Sequence, residues 1–339
     1  MSKFNEHYAR AKALLEGAGK ILVSGHLSPD GDSLGCMIAH QRLLRNAGYD
    51  ATASADHNAF GKLAFMEGAG EILPLRKLKK RRFDLLVVVD ASGVDRLPPE
   101  VRPFAEKLPK LCIDHHATSD TSFADAAIID PSASSAGEIV WRFAKWMEWP
   151  LDSVSAEALW VSIVTDSGRF SYDSTKTGTM RAAGDLLRHG VRTSLINDII
   201  YGTFSRKAIE LKRIAWRSLH IWKNGKVAEV SLTRDDFRSV RGTKANAEDI
   251  IEIPRSVARN EIALFFYQIP DRTKETRCSI RTRGSYDATA LAAKFGGGGH
   301  RKAAGCTIAC SMNAAKRRMR AAVKEMLKSA CRKTMRIQA

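Results

Sequence analysis

Four short segments of this 339-residue chain place histidine and aspartate side chains directly after apolar runs. They are residues 26–33 (HLSPDGDS), Asp90, residues 114–116 (Asp-His-His) and Asp166. Imidazole and carboxylate groups are common protein ligands of divalent metals, and these segments supply enough of them for two ions. The set therefore predicts metal-assisted hydrolysis of a phosphoester.

Each segment alone has a plainer explanation. Two aspartates around a glycine often form an ordinary turn, His26 can be a hydrogen-bonded structural residue, and Asp90 can cap the next turn. Asp166 can be the polar end of an amphipathic helix. An aspartate and two histidines at a buried strand end would be costly without partners, which makes residues 114–116 the strongest segment. All four together, in order and at element ends, favour the metal interpretation.

The elements that carry these side chains are predicted from their flanks. Residues 20–24, 84–89 and 111–113 are β-rich and almost uncharged, which is typical of fully buried parallel strands. Residues 156–165 favour a helix that delivers Asp166 just past its last turn. Because ligands bind at the carboxyl ends of the strands of an open α/β sheet, we expect residues 26 to 116 to converge there.

The fold class is predicted to be α/β, with two domains. Residues 1–200 alternate strands and helices and should form a parallel-sheet catalytic domain. Residues 201–225 are assigned to a helical linker, and residues 226–339 to a smaller α/β substrate-binding domain that ends in a basic helix. No linker rich in proline or serine separates the domains, so we expect them to pack with the active site in the cleft between them.

Composition limits the class of protein. The chain is 44% apolar, has no apolar run of eighteen residues and lacks a start that resembles a signal peptide, which predicts a cytoplasmic enzyme without a membrane partner. Six cysteines are scattered along it, which favours reduced thiols over a disulfide framework.

The formal net charge of +17 is concentrated in two places, residues 76–82 and the helix predicted over residues 314–336. Solvated surface charge explains either run. The alternative is attraction of a polyanion, which would depend on salt and ignore sequence.

The ordered motifs resemble the DHH phosphoesterases. In addition, the four glycines at 296–299 followed by His300, with Ala-Ala-Gly at 303–305, resemble the glycine-rich signature of the associated C-terminal domain. The resemblance covers roughly residues 20 to 310, and the two-domain layout is most similar to the NrnA-type oligoribonucleases, which also remove phosphate from 3',5'-bisphosphate nucleosides. It implies a phosphoesterase that acts on very short oligoribonucleotides, 3',5'-bisphosphate nucleotides or both.

The resemblance also implies a ligand set in which Asp90 bridges two metals. One ion would be held by His26, Asp30 and Asp90, and the other by Asp32, Asp90, His115 and Asp166. Four aspartates balance four metal charges, so a polarised water can lose its proton near neutral pH and attack phosphorus as hydroxide. The mixture of histidine and carboxylate ligands favours manganese, with magnesium and cobalt as alternatives. Asp114 would orient a ligating histidine, and His116 would donate to the scissile phosphate or the leaving oxygen.

Substrate-binding residues are implied in the second domain. Consecutive glycines let backbone NH groups approach an anion, although a flexible helix exit is the plainer explanation. By resemblance, His300 and Arg281 would hold the terminal phosphate beside Gly297, Gly298 and Gly299, with Arg255 a weaker candidate. Arg169 departs from the family pattern and either tunes substrate choice or points to solvent.

Several alternatives remain open at this point. A cyclic dinucleotide phosphodiesterase could share the layout, whereas a RecJ-like single-strand exonuclease would usually carry further domains and an inorganic pyrophosphatase would lack the glycine run. A non-catalytic nucleic-acid binding protein is the alternative from another class, and the intact ligand set argues against it. The expected partner is a short RNA or nucleotide, and a homodimer is left open.

Overall fold

The computed structural model describes residues 4–268 and 275–337 of the chain, which divides into two compact units, Met1–Gly202 and Thr203–Ala339. Both units are α/β, as predicted. In the described part of the chain no helix is long and apolar enough to cross a membrane.

The first unit contains a six-stranded, fully parallel sheet with the strand order β3-β2-β1-β4-β5-β6. All five residues of β4 are buried, as are four of five in β1 and β5, which explains the uninterrupted apolar runs in the sequence. The strands are β1 (Lys20–Ser24), β2 (Asp50–Ala55), β3 (Leu73–Pro74), β4 (Leu85–Val89), β5 (Lys110–Asp114) and β6 (Ala126–Ile129).

The connections between strands run in opposite directions across the sheet on the two sides of the boundary between β1 and β4. After β1 the chain moves outward through β2 and β3, and it then returns to pair β4 with the other side of β1. Such a switch point leaves a crevice at the carboxyl ends of the two central strands. The loop that starts at Gly25 and the residue after Val89 both lie at this crevice.

Helices cover both faces of this sheet, and two apolar cores separate them from it. The larger core packs α2, α4 and α5 against one face, while Leu75, Leu78 and Val101 belong to the smaller core on the other. The helices are α1 (Asn5–Glu16), α2 (Gly31–Asn46), α3 (Arg102–Ala105), α4 (Ala136–Trp146), α5 (Ser153–Asp166), α6 (Thr177–Leu187) and α7 (Thr193–Asn197). Short 3-10 helices cover His57–Ala59, Gly61–Phe65, Ala69–Glu71, Leu75–Lys80 and Val94–Arg96, and Asp198–Gly202 is a π-helical turn.

The second unit has a mixed six-stranded sheet with the order β11-β12-β10-β9-β8-β7, in which only β8 and β9 are parallel among the described pairs. Its strands are β7 (His220–Trp222), β8 (Val227–Leu232), β9 (Ile262–Tyr267), β10 (Thr276–Thr282), β11 (Gly298–His300) and β12 (Ala303–Ile308). Its helices are α8 (Arg206–Arg217), α9 (Arg234–Ser239), α10 (Glu252–Arg255), α11 (Ala288–Ala293) and α12 (Met312–Ile337), with a 3-10 helix at Lys244–Ile251.

Two features of this unit are not evident from local sequence. Gly298–His300 forms strand β11, paired antiparallel with β12, whereas glycines favour loops by propensity. Helix α8 lies within the range assigned to a linker, yet Leu211 and Ala215 belong to an apolar core of the second unit. Pairing with β12 makes residues 298–300 a strand, and burial of Leu211 and Ala215 joins α8 to the second unit. Local composition reveals neither interaction.

Candidate active site

Six of the predicted metal ligands converge at the crevice of the first unit. The residues come from the carboxyl ends of three adjacent strands and from the last turn of α5. They form two groups, His26 with Asp30 and Asp90, and Asp32 with His115 and Asp166, in each of which the ligand atoms lie within 4.8 Å of one another. A third group within the same distance joins Asp90 and His115 to Asp114 and His116.

The loop before α2 is fixed by helix capping. Asp30 is the N-cap of α2, and its Oδ1 accepts hydrogen bonds from the backbone NH groups of Asp32 (3.0 Å) and Ser33 (3.1 Å). Gly31 lies against α5, since a Cβ there would come within 2.3 Å of Thr165 Oγ1. The glycine therefore lets the start of α2 approach the end of α5, which carries Asp166.

Asp32 lies in the first turn of α2, and its almost fully buried side chain contacts the N-terminus of α4. Its Oδ2 accepts a hydrogen bond from the NH of Ala136 at 2.8 Å, and its Oδ1 accepts one from the NH of Gly137 at 3.1 Å. The hydroxyl of Ser162 and the thiol of Cys36 also donate to Oδ1. Backbone donors at a helix N-terminus stabilise a negative charge, so the fold holds this carboxylate in one orientation.

Asp90 occupies the centre of the site with a left-handed backbone, φ 52°. Its NH donates to the carbonyl of Ile113, which ties the turn after β4 to β5. Its Oδ2 lies 3.5 Å from Nε2 of His26, and its Oδ1 lies 3.8 Å from Nε2 of His115. One carboxylate thus faces both ligand groups, which is the arrangement that a bridging ligand needs.

His115 completes the second group. Its Nε2 lies 3.6 Å from Asp32 Oδ2 and 3.4 Å from Asp166 Oδ2. These separations exceed those of ordinary hydrogen bonds. Two ligands that are each about 2.1 Å from a shared ion lie at most about 4.2 Å apart, so the spacing fits donors around a common cation.

The electrostatics of the site point the same way. Burial raises the pKa of Asp90 and of Asp166 well above the usual aspartate range, and the neighbouring charges of Asp32 and Asp30 raise both further. Burial also raises the pKa of Asp32. A cluster of buried carboxylates that repel one another is stabilised by cations, and its oxygen and nitrogen donors suit a divalent metal.

Asp114 and His116 form a second pair beside this centre. Asp114 Oδ1 lies 2.7 Å from Nδ1 of His116 and accepts a hydrogen bond from the NH of His115 at 2.8 Å, while the hydroxyl of Ser119 donates to Oδ2. Burial opposes both charges, but the hydrogen bond between the two side chains lowers the pKa of Asp114 and raises that of His116. The structure therefore pairs Asp114 with the ring of His116, whereas we expected it to orient a ligating histidine.

Several residues that fix the site were not foreseen from the sequence. Ser162 and Ser119 donate to catalytic-site carboxylates, and the N-terminus of α4 holds Asp32. The only local signal was the N-cap serine of α4, Ser135, which the sequence places before a helical stretch.

Arg169 lies just beyond α5 with its guanidinium 4.9 Å from the ring centre of Tyr201. The side chain is exposed, and the hydroxyl of Tyr201 donates to the carbonyl of Val164 at 3.2 Å. Arg169, three residues after Asp166, thus stacks on the ring of Tyr201, which is itself held by a hydrogen bond.

The predicted substrate-binding residues of the second unit, other than Arg255, lie on or near the β11-β12-β10 end of its sheet. Arg281 pairs with Ala303, and Ala303 pairs with His300, so the three residues occupy one row across three strands. The side chain of His300 lies outside the part of the chain that the structure describes. Arg255 lies on α10 and makes an ion pair with Glu252 at 2.9 Å.

The predicted glycines differ in their surroundings. A Cβ at Gly297 would come within 2.3 Å of the carbonyl of Gly305, whereas one at Gly298 would meet nothing within 4 Å. Gly299 has a φ of 139°, which an L-residue rarely adopts. Gly297 and Gly299 are therefore required by the fold, and Gly298 leaves open space beside Gly305.

Comparison with known proteins gives matches across both units. Residues 20–163 match the DHH family, N-terminal domain, and residues 237–329 match the DHHA1 domain. The chain is 26% identical to the bifunctional oligoribonuclease and PAP phosphatase NrnA of Bacillus subtilis, over 85% of this chain and 89% of that protein. It is 28% identical to the protein of the same name from Thermus thermophilus, over 94% of this chain and 93% of that protein.

Among solved structures, the chain is similar to an exopolyphosphatase-related protein from Bacteroides fragilis. The TM-score is 0.87 at 24% identity, and the alignment covers 96% of this chain and 98% of the other. This likeness supports the fold assignment.

Proposed function

Since the chain contains a DHH-family N-terminal domain and a DHHA1 domain and is a phosphoesterase, we propose that it hydrolyses very short oligoribonucleotides and 3',5'-bisphosphate nucleotides with two divalent metal ions, preferably manganese. The observation that carries the proposal is the pair of ligand groups joined by Asp90, with histidine and carboxylate atoms 3.4 to 3.8 Å apart. The two relatives named above are called both oligoribonuclease and PAP phosphatase, which supports this pair of substrates.

The residues would divide between the metals as the two groups do, with Asp90 added to the second group because its Oδ1 lies 3.8 Å from Nε2 of His115. His26, Asp30 and Asp90 would hold one ion, and Asp32, Asp90, His115 and Asp166 the other. When bound, such ions supply Lewis acidity toward phosphoryl oxygens and lower the pKa of a coordinated water. The chain's contribution is to hold its carboxylates in place, since Asp30 caps α2 and Asp32 is fixed by α4.

His116 is proposed to supply a proton to the leaving oxygen. The carboxylate of Asp114 can only accept, so Nδ1 of His116 carries the proton in their hydrogen bond. The ring is thereby oriented with Nε2 directed away from Asp114. Ser119 donates to the other oxygen of Asp114, so we propose that Ser119 and Asp114 position the ring of His116.

Substrate length is proposed to be set by the second unit. Arg281 and His300 share one row of the sheet with the small Ala303 between them, and strands about 4.8 Å apart would separate the two outer residues by roughly 10 Å. A cationic residue and a histidine so placed suit a terminal phosphate, and Gly298 and Gly305 leave backbone accessible beside them. We further propose that Arg169 contacts the substrate from the first unit.

The decisive experiment compares substrates of different length. Purified protein with manganese is incubated with labelled dinucleotide, five-nucleotide RNA, twenty-nucleotide RNA, 3',5'-bisphosphate adenosine and a cyclic dinucleotide, beside the Asp90→Asn variant. We expect fast turnover of the dinucleotide and the bisphosphate, and none in the variant. Equal rates on the twenty-mer would overturn length selection, preference for the cyclic substrate would establish the phosphodiesterase alternative, and binding without turnover would overturn catalysis.

A matched pair of arginines tests the phosphate site. Arg281→Gln should raise the KM for dinucleotide about tenfold or more, because a charge-assisted contact is lost. Arg277 lies on the same strand and hydrogen-bonds Thr307 at 3.3 Å, so Arg277→Gln removes an equal charge outside the row that includes His300. Equal effects of the two variants would contradict a specific role for Arg281.

A further inference from the structure

The most concentrated positive charge in the first unit plays no part in the metal centre. Six of the seven residues from 76 to 82 are lysine or arginine, and all six side chains are exposed. Within the described residues, no ion pair or hydrogen bond is made by these side chains. Unpaired like charges repel one another, so their concentration here costs stability unless an anion is bound.

The segment is held rigidly. Leu75–Lys80 is a 3-10 helix, and its Leu75 and Leu78 are buried in the smaller apolar core of the first unit. Phe83 follows and packs edge-to-face on Phe104, with ring centres 5.7 Å apart. The cations are therefore presented from a fixed support, which lowers the entropic cost of binding a ligand.

A groove next to this segment combines charge with apolar surface. It has a volume of about 600 Å³ and is lined by Lys79, Arg81, Lys107 and Phe104, together with two prolines and one acidic residue, Glu100. We call it the amino-edge groove. Three cations against one carboxylate give it a net positive charge, and the half-buried ring of Phe104 offers an aromatic surface.

The groove lies at the amino-terminal ends of β4 and β5, whereas the candidate metal ligands lie at the carboxyl ends of the same strands. Arg82 precedes the first residue of β4 and Lys107 precedes β5, whereas Asp90 and His115 follow the last residues of these strands. The five residues of β4 alone span roughly 16 Å. A substrate as short as a dinucleotide that occupies the metal centre does not extend to this edge.

We propose that the amino-edge groove is a second, non-catalytic binding site for single-stranded RNA longer than the hydrolysed substrate. Cations contact the phosphates without regard to sequence, and an aromatic ring beside them stacks on a base. A duplex buries its bases and could use only the cations. The inference concerns binding and does not depend on hydrolysis.

The test measures RNA binding without turnover. Fluorescence anisotropy follows a labelled twenty-nucleotide single strand added to the full chain in EDTA at several salt concentrations. The variant Lys79→Gln/Arg81→Gln/Lys107→Gln should bind at least about tenfold more weakly at low salt, and the slope of log affinity against log salt should fall by roughly two. Phe104→Leu should weaken binding about fivefold or more, since a stacked base is lost.

Controls separate the groove from general charge. Arg10→Gln/Arg181→Gln/Arg188→Gln removes three exposed cations from other surfaces of the same unit, and should leave the salt slope almost unchanged. Dinucleotide hydrolysis with manganese should stay within about twofold of wild type in both triple variants. Equal losses of RNA binding in the two triple variants, or equal affinity for a duplex of the same length, would overturn the proposal.

Discussion

Nε2 of His115 lies 3.4 Å from Oδ2 of Asp166, which joins the end of a buried strand to the last turn of a helix. The strand that ends before His115 and the helix that ends at Asp166 are far apart in sequence, so local structure alone does not bring the two side chains together. Gly31 contributes to this arrangement because it lets the start of α2 approach Thr165, the residue before Asp166. The convergence of the candidate ligands thus depends on helix packing as much as on strand order.

Replacing the central carboxylate should separate stability from activity. Asp90→Asn should reduce phosphoester hydrolysis by at least about a thousandfold, because a ligand facing both groups is lost. In EDTA, however, the variant should be more stable than wild type by roughly 1 kcal/mol, since a buried charge repelled by its neighbours is removed. Thermal unfolding with and without manganese measures both effects.

The control for Asp90→Asn is Asp90→Ala, which tests the effect of the left-handed backbone at residue 90. Asn tolerates the left-handed conformation of residue 90, whereas Asp90→Ala should lose about 1 kcal/mol or more to strain. Excess manganese should stabilise wild type by about 3 kcal/mol at a hundred times its dissociation constant and neither variant to that extent. Equal stabilisation of all three proteins would remove Asp90 from the metal site.

Asp114 should affect the rate but not the metals. Asp114→Asn should lower kcat about 10- to 100-fold, because the ring of His116 loses the acceptor that fixes its orientation. Bound manganese, measured by elemental analysis, should not change. Ser119→Ala removes one hydrogen bond to the same carboxylate and should have a smaller effect. Loss of manganese from Asp114→Asn would place this residue among the ligands instead.

Two neighbouring glycines should respond differently to alanine. Gly297→Ala should destabilise the second unit by about 1 to 3 kcal/mol, because its Cβ would clash with the carbonyl of Gly305. Gly298→Ala meets no protein atom and should leave stability unchanged while it raises the KM for dinucleotide several-fold. An unchanged KM for Gly298→Ala would mean that substrate does not approach this strand.

Stability in acid should depend on His40. This imidazole is fully buried in α2, and neither ring nitrogen has a hydrogen-bond partner in the described part of the chain. Burial lowers its pKa from 6.5 to about 4, so below pH 6.5 the unfolded chain binds a proton that the folded protein does not. The contribution of His40 to the free energy of unfolding is nearly constant above about pH 7, and it falls by about 2 kcal/mol between pH 7 and pH 5.

The measurement is chemical unfolding at pH 7 and pH 5. His40→Leu should remove most of the loss attributed to residue 40, and His189→Gln, which changes a partly exposed histidine of the same unit, should retain it. An identical pH dependence in wild type and His40→Leu would show that the ring is not held neutral in the core.

The sequence by itself determined the buried parallel strands and most of the helices that carry the candidate ligands. Buried parallel strands appear as uncharged β-rich runs, and side chains placed directly after them lie at the carboxyl ends of the strands, so the convergence of His26, Asp90 and His115 could be predicted before any distance was known. That these residues bind metal stays a prediction. The predicted helix ending near Asp166 follows from the same local patterns, since its apolar run and capping residues are contiguous.

Only the tertiary structure decided which groups pair. Asp114 is followed by both His115 and His116 in sequence, and side-chain geometry alone assigns its hydrogen bond to the ring of His116. The donors that hold Asp32 come from α4 and α5, and β11 is a strand because β12 lies beside it. These relationships depend on long-range packing and strand pairing, which act between segments far apart in the chain and leave no periodic signal within either one.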